Sequence, residues 1–328
     1  RLFNISIANK LTKGFIRNGH DVVNFSYRDF GNKLLIKNNY ALNEKIFNIS
    51  LNYKPDLILL GHNNVLNRET IDKIKSKHKI KIALWYEDHL IKGGPNYTDN
   101  LNLIEKNRDL IDQYFVTTFP KIIITKIEKN KLNYIPIPAD KNIENLEIYN
   151  SNNRYKDLFF ALSHGVNYGK LKRRNIDERE MFLNKLLVKN KKLTFNILGY
   201  EGEQPKWNYQ YFKELSKCKT ALNLSRGIPS KYASSNRVAS LIANGIMTFI
   251  DKRTKYQDFF DENEMGFYTS AEDLINQLEK LNGDINKINK ISKRGKAKYF
   301  SIFDNSIVSD YIISKTFNKT SKYKHVWD

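Results

Sequence analysis

Apolar positions along the chain come in two alternating forms. Short runs that are apolar almost throughout occur at residues 56–60, 80–85, 114–117 and 132–135. Such runs read as strands covered on both faces. Between them, apolar residues recur every three or four positions, as in helices with one buried face. Residues 5–18 place Ile5, Ala8, Leu11 and Phe15 on one side before Gly19, and similar stretches cover 41–52 and 69–77. A further short strand is predicted at 21–26. The chain opens on a helix, whereas a doubly wound domain opens on a strand, so one strand is expected to lie outside the sequence.

Pro136 and Pro138 interrupt the pattern, and the polar stretch 141–156 reads as a linker. Alternation then restarts, with strands predicted at 157–162, 193–198, 219–224 and 246–250. Helices are predicted at 177–188, 208–216, 235–244, 271–281, 285–299 and 305–316. Helices alternating with buried parallel strands predict an α/β protein of two Rossmann-like, doubly wound domains facing a cleft. The first spans 1–140 and the second 157–303. A last helix within 304–328 is expected to cross back to the first domain.

Composition narrows the picture only in places. A chain of 328 residues suffices for two ordinary cores. The single cysteine, Cys218, excludes an internal disulfide and a cysteine-based metal cluster. No apolar run approaches the ~18 residues of a membrane-spanning helix, and no signal peptide is evident, so a cytoplasmic protein is expected. The net charge of +20 is large, but its lysines are scattered. A solvated basic surface is therefore favoured over a nucleic-acid footprint, with peripheral contact to a membrane surface as a further expectation.

Ligands of open parallel sheets bind beyond the carboxyl ends of the strands, and candidate chemistry gathers at those ends. In the second half, Asn223, Ser225 and Arg226 end one predicted strand, and Ser234, Ser235, Asn236 and Arg237 open the next helix. A helix start with two arginines suits a diphosphate. His164 and Gly165 end another strand, where glycine admits a close approach to phosphate. In the first half, Glu87, Asp88 and His89 are candidates for a general base. His62 is a weaker one, and Trp85 and Tyr86 are a candidate platform for a sugar ring, although Trp85 fits the core equally well. No Asp-x-Asp pair, Walker loop or His-Glu-x-x-His occurs, so no metal site is expected.

Residues 223–251 resemble the C-terminal domain of the CgeB-like (spore maturation protein-like) group-1 glycosyltransferases. The motif is an Asn-x-Ser-Arg strand end, a Ser-x-Arg helix start and an Ala-x-Gly turn. The resemblance extends to residues 54–56, 84–88, 134–138, 157–160 and 267–273. It implies a GT-B fold, with a nucleotide-sugar donor in the second domain and the acceptor in the first. It implies no cofactor beyond the donor as co-substrate. Close relatives carry an acidic residue at the position of Asn236, and many carry Glu at that of Ser240. The expected function is metal-independent transfer of a sugar from a nucleotide-diphosphate sugar to a glycan, lipid-linked sugar or protein. Alternatives are a nucleic-acid-binding or DNA-modifying protein, or a sugar-nucleotide epimerase or inactive binding module on the same fold.

Overall fold

The computed structural model describes residues 6–26, 40–62, 66–162, 178–190, 192–201, 203–233, 235–281 and 284–328. In chain order its elements begin with α1 (Ile7–Arg17), α2 (Tyr40–Tyr53), β1 (Leu57–Gly61), α3 (Arg68–Lys77) and β2 (Lys81–Tyr86). α4 (Tyr97–Glu105), β3 (Gln113–Val116) and β4 (Leu132–Tyr134) follow. The second half runs β5 (Lys156–Ala161), α5 (Glu178–Lys189), β6 (Phe195–Leu198), α6 (Tyr209–Leu215), β7 (Cys218–Asn223), α7 (Asn236–Ile242) and β8 (Met247–Asp251). It ends with β9 (Gly266–Tyr268), α8 (Ala271–Leu281), α9 (Ile285–Phe303) and α10 (Asn305–Phe317).

The chain divides into two compact units. An N-terminal unit comprises Leu11–Ile135 with Ser306–Asp328, and a C-terminal unit comprises Pro136–Asn305 with the first ten residues. Each holds one fully parallel sheet, in the orders β1-β2-β3-β4 and β6-β5-β7-β8-β9. The fold is thus α/β with two parallel-sheet domains.

Alternation along the strands sends side chains to both faces. In the N-terminal unit Ile82, Leu84, Tyr86, Tyr114 and Val116 pack with Ile71 of α3 and Ile104 of α4. On the other face, Phe115 meets Tyr311 of α10 edge to face at 6.2 Å. Ser309 Oγ of α10 donates to Leu11 O of α1 at 3.2 Å. In the C-terminal unit Leu158 and Phe160 pack with α5, α8 and α9, while Phe159 packs with Leu215 and Leu241 from α6 and α7.

Two features differ from the sequence reading. Residues 21–26 form no strand: Val23 is half exposed, and the segment pairs with no sheet edge among the described residues. The polar stretch 141–156 is anchored in the C-terminal unit, with Glu144 and Ile148 buried. Ile148 N donates to Asn244 O at 3.1 Å and Leu146 N to Asn244 Oδ1 at 3.1 Å. Glu144 is buried and accepts an ion pair from the fully buried Lys10 at 2.6 Å. Asp140 completes this network: its amide donates to Glu144 Oε2 at 2.9 Å, and Asn305 Nδ2 donates to its carboxylate at 2.7 Å. Buried charges persist only when paired in this way.

Candidate active site

The strand order of the C-terminal unit reverses at β5. The chain leaves β5 for β6 on one side and returns to β7 on the other. Such a switch point opens a crevice at the carboxyl ends of the two strands. Arg237, near the start of α7, reaches into it. Its Nη1 donates to Leu224 O at 2.8 Å and its Nη2 to Ala161 O at 3.0 Å, with the guanidinium 4.8 Å from the Phe160 ring centroid. Arg237 thus ties the ends of β5 and β7 together and fixes a positive charge there.

Beside it, Asn223, Ser225, Asp251, Thr254 and Tyr268 line a small pocket with Leu224, Pro229, Ala233 and Ile250. Several of its polar atoms are buried without a hydrogen-bond partner among the described residues: Asn223 Oδ1, Ser225 Oγ and Tyr268 OH, and nearby in sequence Ser230 Oγ and Ser235 Oγ. Burial, with Asp251 adding repulsion, raises the Tyr268 hydroxyl well above the ordinary tyrosine range, so it stays a neutral donor. Asp251 is itself held by Arg253 at 2.7 Å.

The loop between β7 and α7 is shaped by Gly227 and Tyr232, both with positive φ (84° and 59°). Tyr232 N donates to Thr254 O at 2.7 Å, and its hydroxyl donates to Asp258 at 2.7 Å. Arg226 is exposed on this loop and makes no hydrogen bond or ion pair among the described residues.

The helix start adds two features. Ser235 occupies the N-cap position of α7, yet its hydroxyl makes no capping bond. Asn236, read as a donor contact, accepts from Lys10 Nζ at 3.2 Å. Its carboxamide oxygen therefore joins the buried network around Glu144. His164, Gly165 and Ser234 lie outside the described residues.

In the N-terminal unit the end of β2 carries the second group. Its backbone is stapled to the residues after β3: Thr117 Oγ1 donates to Glu87 O at 2.9 Å, and Leu90 N donates to Thr118 Oγ1 at 3.2 Å. His62 follows β1 with a left-handed φ of 45°. Its Nε2 lies 3.4 Å from Glu87 Oε1 and its Nδ1 3.8 Å from Asp88 Oδ2. The imidazole packs 4.8 Å from the Tyr86 ring and 5.9 Å from that of Trp85.

Trp85 and Tyr86 are buried, at 7% and 2% exposure. Trp85 presses on Gly61, where an added Cβ would lie 2.7 Å from its Nε1. Tyr86 OH donates to Asn100 Oδ1 at 2.9 Å, and Asn100 Nδ2 donates to His89 O at 3.0 Å. The expected aromatic platform is therefore corrected: both rings are core that positions His62. The histidine that ranked below its neighbours in sequence stands between two carboxylates. Tyr268, which the sequence did not single out, lines the other group.

Comparisons with known proteins follow this geometry. Residues 173–310 match the family model described as glycosyl transferase-like. No curated protein matches the chain. Among solved structures, the chain resembles an alpha-glucosyltransferase in complex with UDP and a 13-mer DNA. The TM-score is 0.56 at 13% identity, covering 95% of this chain and 94% of that one. It also resembles Anabaena Alr3699/HepE in complex with UDP-glucose (0.55, 11%, 84% and 82%). A glycosyltransferase from Rickettsia africae ESF-5 is similar again (0.54, 12%, 96% and 95%). The two parallel-sheet domains thus share the GT-B fold of these structures, and the match to the glycosyl transferase-like model falls mostly on the C-terminal unit.

Proposed function

We propose that the protein transfers a sugar from a nucleotide-diphosphate sugar to an acceptor hydroxyl, as a CgeB-like glycosyltransferase that uses no metal ion. The observation that carries this reading is the crevice at the ends of β5 and β7. There, buried polar atoms of Asn223, Ser225 and Tyr268 lack partners among the described residues, beside the fixed charge of Arg237. An unmet buried polar atom costs about 1–3 kcal/mol, so such a group suits a polar ligand that completes their bonds. Hydroxyls of Ser225, Ser235 and Tyr268 can donate to phosphate oxygens, and Asn223 Oδ1 can accept from a sugar hydroxyl. Arg226, exposed on the loop, adds charge-assisted contacts. His164, Gly165 and Ser234 complete the donor side as sequence-based assignments.

On the acceptor side, Glu87, Asp88, His89 and His62 supply the base. The acceptor oxygen bonds to the anomeric carbon as the bond from that carbon to the diphosphate breaks. The acceptor proton passes to a carboxylate or to His62, and the electron pair stays on the departing nucleotide diphosphate. Arg226, Arg237 and the hydroxyl donors stabilise that charge. UDP in the solved structures of similar fold makes UDP-sugars the first donors to test.

The test is a thermal-shift and calorimetric titration with UDP-, GDP- and TDP-sugars, with CMP-sugars, which carry a single phosphate, as the contrast. At least one diphosphate sugar should raise the melting temperature, and Ser225→Ala with Arg226→Ala should abolish that rise. Absence of binding by all three diphosphate classes, or binding of CMP-sugars alone, would refute the reading. A nucleic-acid acceptor is the second reading. It is favoured by the net charge of +20 and by the DNA bound to one protein of similar fold.

A further inference from the structure

Residues 119–131 join β3 to β4 without a full helix, and they are firmly held. Ile123 and Ile127 are buried in the core of the N-terminal unit. Glu105, at the end of α4, accepts from Thr125 Oγ1 at 2.6 Å and from Lys126 N at 2.7 Å. Tyr97 OH, at the start of α4, donates to Ile124 O at 3.5 Å. The connection therefore runs along α4, pinned at both ends.

Between these anchors two aliphatic side chains face solvent: Ile122 is 39% exposed and Ile124 66%. Around them, Lys121, Lys126 and Lys129 are exposed. The one acidic residue of the segment, Glu128, is taken up by Lys131 at 3.0 Å. A fixed loop that carries exposed isoleucines among exposed lysines, with no ion pair to those lysines among the described residues, combines apolar and basic groups on one segment.

We propose that this face of the N-terminal unit docks on an anionic lipid surface. Ile122 and Ile124 enter the boundary of the acyl chains, and Lys121, Lys126 and Lys129 lie among the phosphate head groups. Apolar insertion and lysine attraction add in such binding. A nucleic acid would use the lysines but offers no apolar phase for the isoleucines, and single-strand binders present aromatic rings in their place. The net charge of +20 adds attraction at longer range. This inference goes beyond sugar transfer and is tested without donor or acceptor.

The experiment is co-sedimentation of the purified chain with vesicles of phosphatidylcholine, alone or mixed with phosphatidylglycerol. Binding is expected to the mixed vesicles and not to the neutral ones. The double variant Ile122→Asp/Ile124→Asp should lower the partition coefficient at least about tenfold. Lys121→Gln and Lys126→Gln should each lower it about fivefold. Val188→Asp, at an 81% exposed aliphatic of the C-terminal unit, should change it little. Ile122→Ser/Ile124→Ser serves in place of the aspartates should these disturb the loop, with melting curves as the control. Unchanged partition in the folded isoleucine variants would overturn the proposal. So would equal binding to neutral vesicles, or tighter binding of duplex DNA than of mixed vesicles at the same salt.

Discussion

Replacing Arg237 by alanine separates two roles that one side chain combines. The guanidinium gives two charge-assisted bonds, to Leu224 O at 2.8 Å and Ala161 O at 3.0 Å, and covers the Phe160 ring. A hydrogen bond involving a charged group contributes about 1.5–3 kcal/mol. The side chain is only half-buried, so water replaces part of each bond. The two together then amount to about 2–3 kcal/mol, and the ring contact adds about 0.5–1 kcal/mol. At about 2–4 °C per kcal/mol, Arg237→Ala should melt roughly 5–16 °C below wild type. Arg237→Lys, whose ammonium reaches one carbonyl at a time, should fall about midway. Arg226→Ala is the contrast, because that residue is exposed and unbonded: its stability should stay within about 0.5 kcal/mol. Its donor affinity should drop roughly tenfold, since one charge-assisted contact goes. The assay is a melting curve on each variant, then donor titration at a temperature where all are folded. A melting temperature for Arg237→Ala within about 2 °C of wild type would refute the tie between the strand ends.

Lys10→Met should destabilise the protein by about 3–5 kcal/mol, because it leaves Glu144 buried and unpaired. In urea unfolding, Lys10→Met/Glu144→Gln should recover part of the loss, whereas strictly additive losses would refute the pairing. Asp88→Asn and Glu87→Gln should keep donor affinity while slowing turnover about 10²–10⁴-fold for the true base. Lost donor affinity in either would reverse the assignment of donor and acceptor units. Glu214 is pushed up by burial, but the ammonium groups of Lys217 and Lys206 and the Asn196 amide outweigh this and lower it to about 2. Its contribution to stability is therefore present above the usual carboxylate pKa and is lost as pH falls from near 4.5 toward 2. The stability gap between wild type and Glu214→Gln should close over that window, and a gap independent of pH would count against it.

How much of this was legible in the sequence depends on how locally each feature is determined. The strands around Leu59, Leu84, Phe159 and Leu222 were readable because a strand buried on both faces must be apolar at nearly every position. The same physics misled the reading of Trp85 and Tyr86. They close an unbroken apolar run, and burial, not sugar stacking, is the ordinary fate of such residues. Residues 21–26 have the composition of a strand, but a strand exists only through its partner, and pairing is not written locally. β9, three residues long, gives too little pattern to recognise, so Tyr268 stayed hidden. Polar partnerships across the chain were the least accessible. Lys10, Glu144 and Asn236 look like surface residues one at a time, and Lys10 and Asn236 stand 226 positions apart. Their burial is possible only together, since each satisfies the others. The polar stretch 141–156 resembled a linker for that reason: its charge is spent on neighbours that only the fold supplies. His62 follows the same logic, because a histidine beside glycine says little until two carboxylates arrive from the neighbouring strand. Chemistry carried by one segment, such as the run from Asn223 to Arg226, can be read in sequence, whereas chemistry assembled between segments has to be read in the fold.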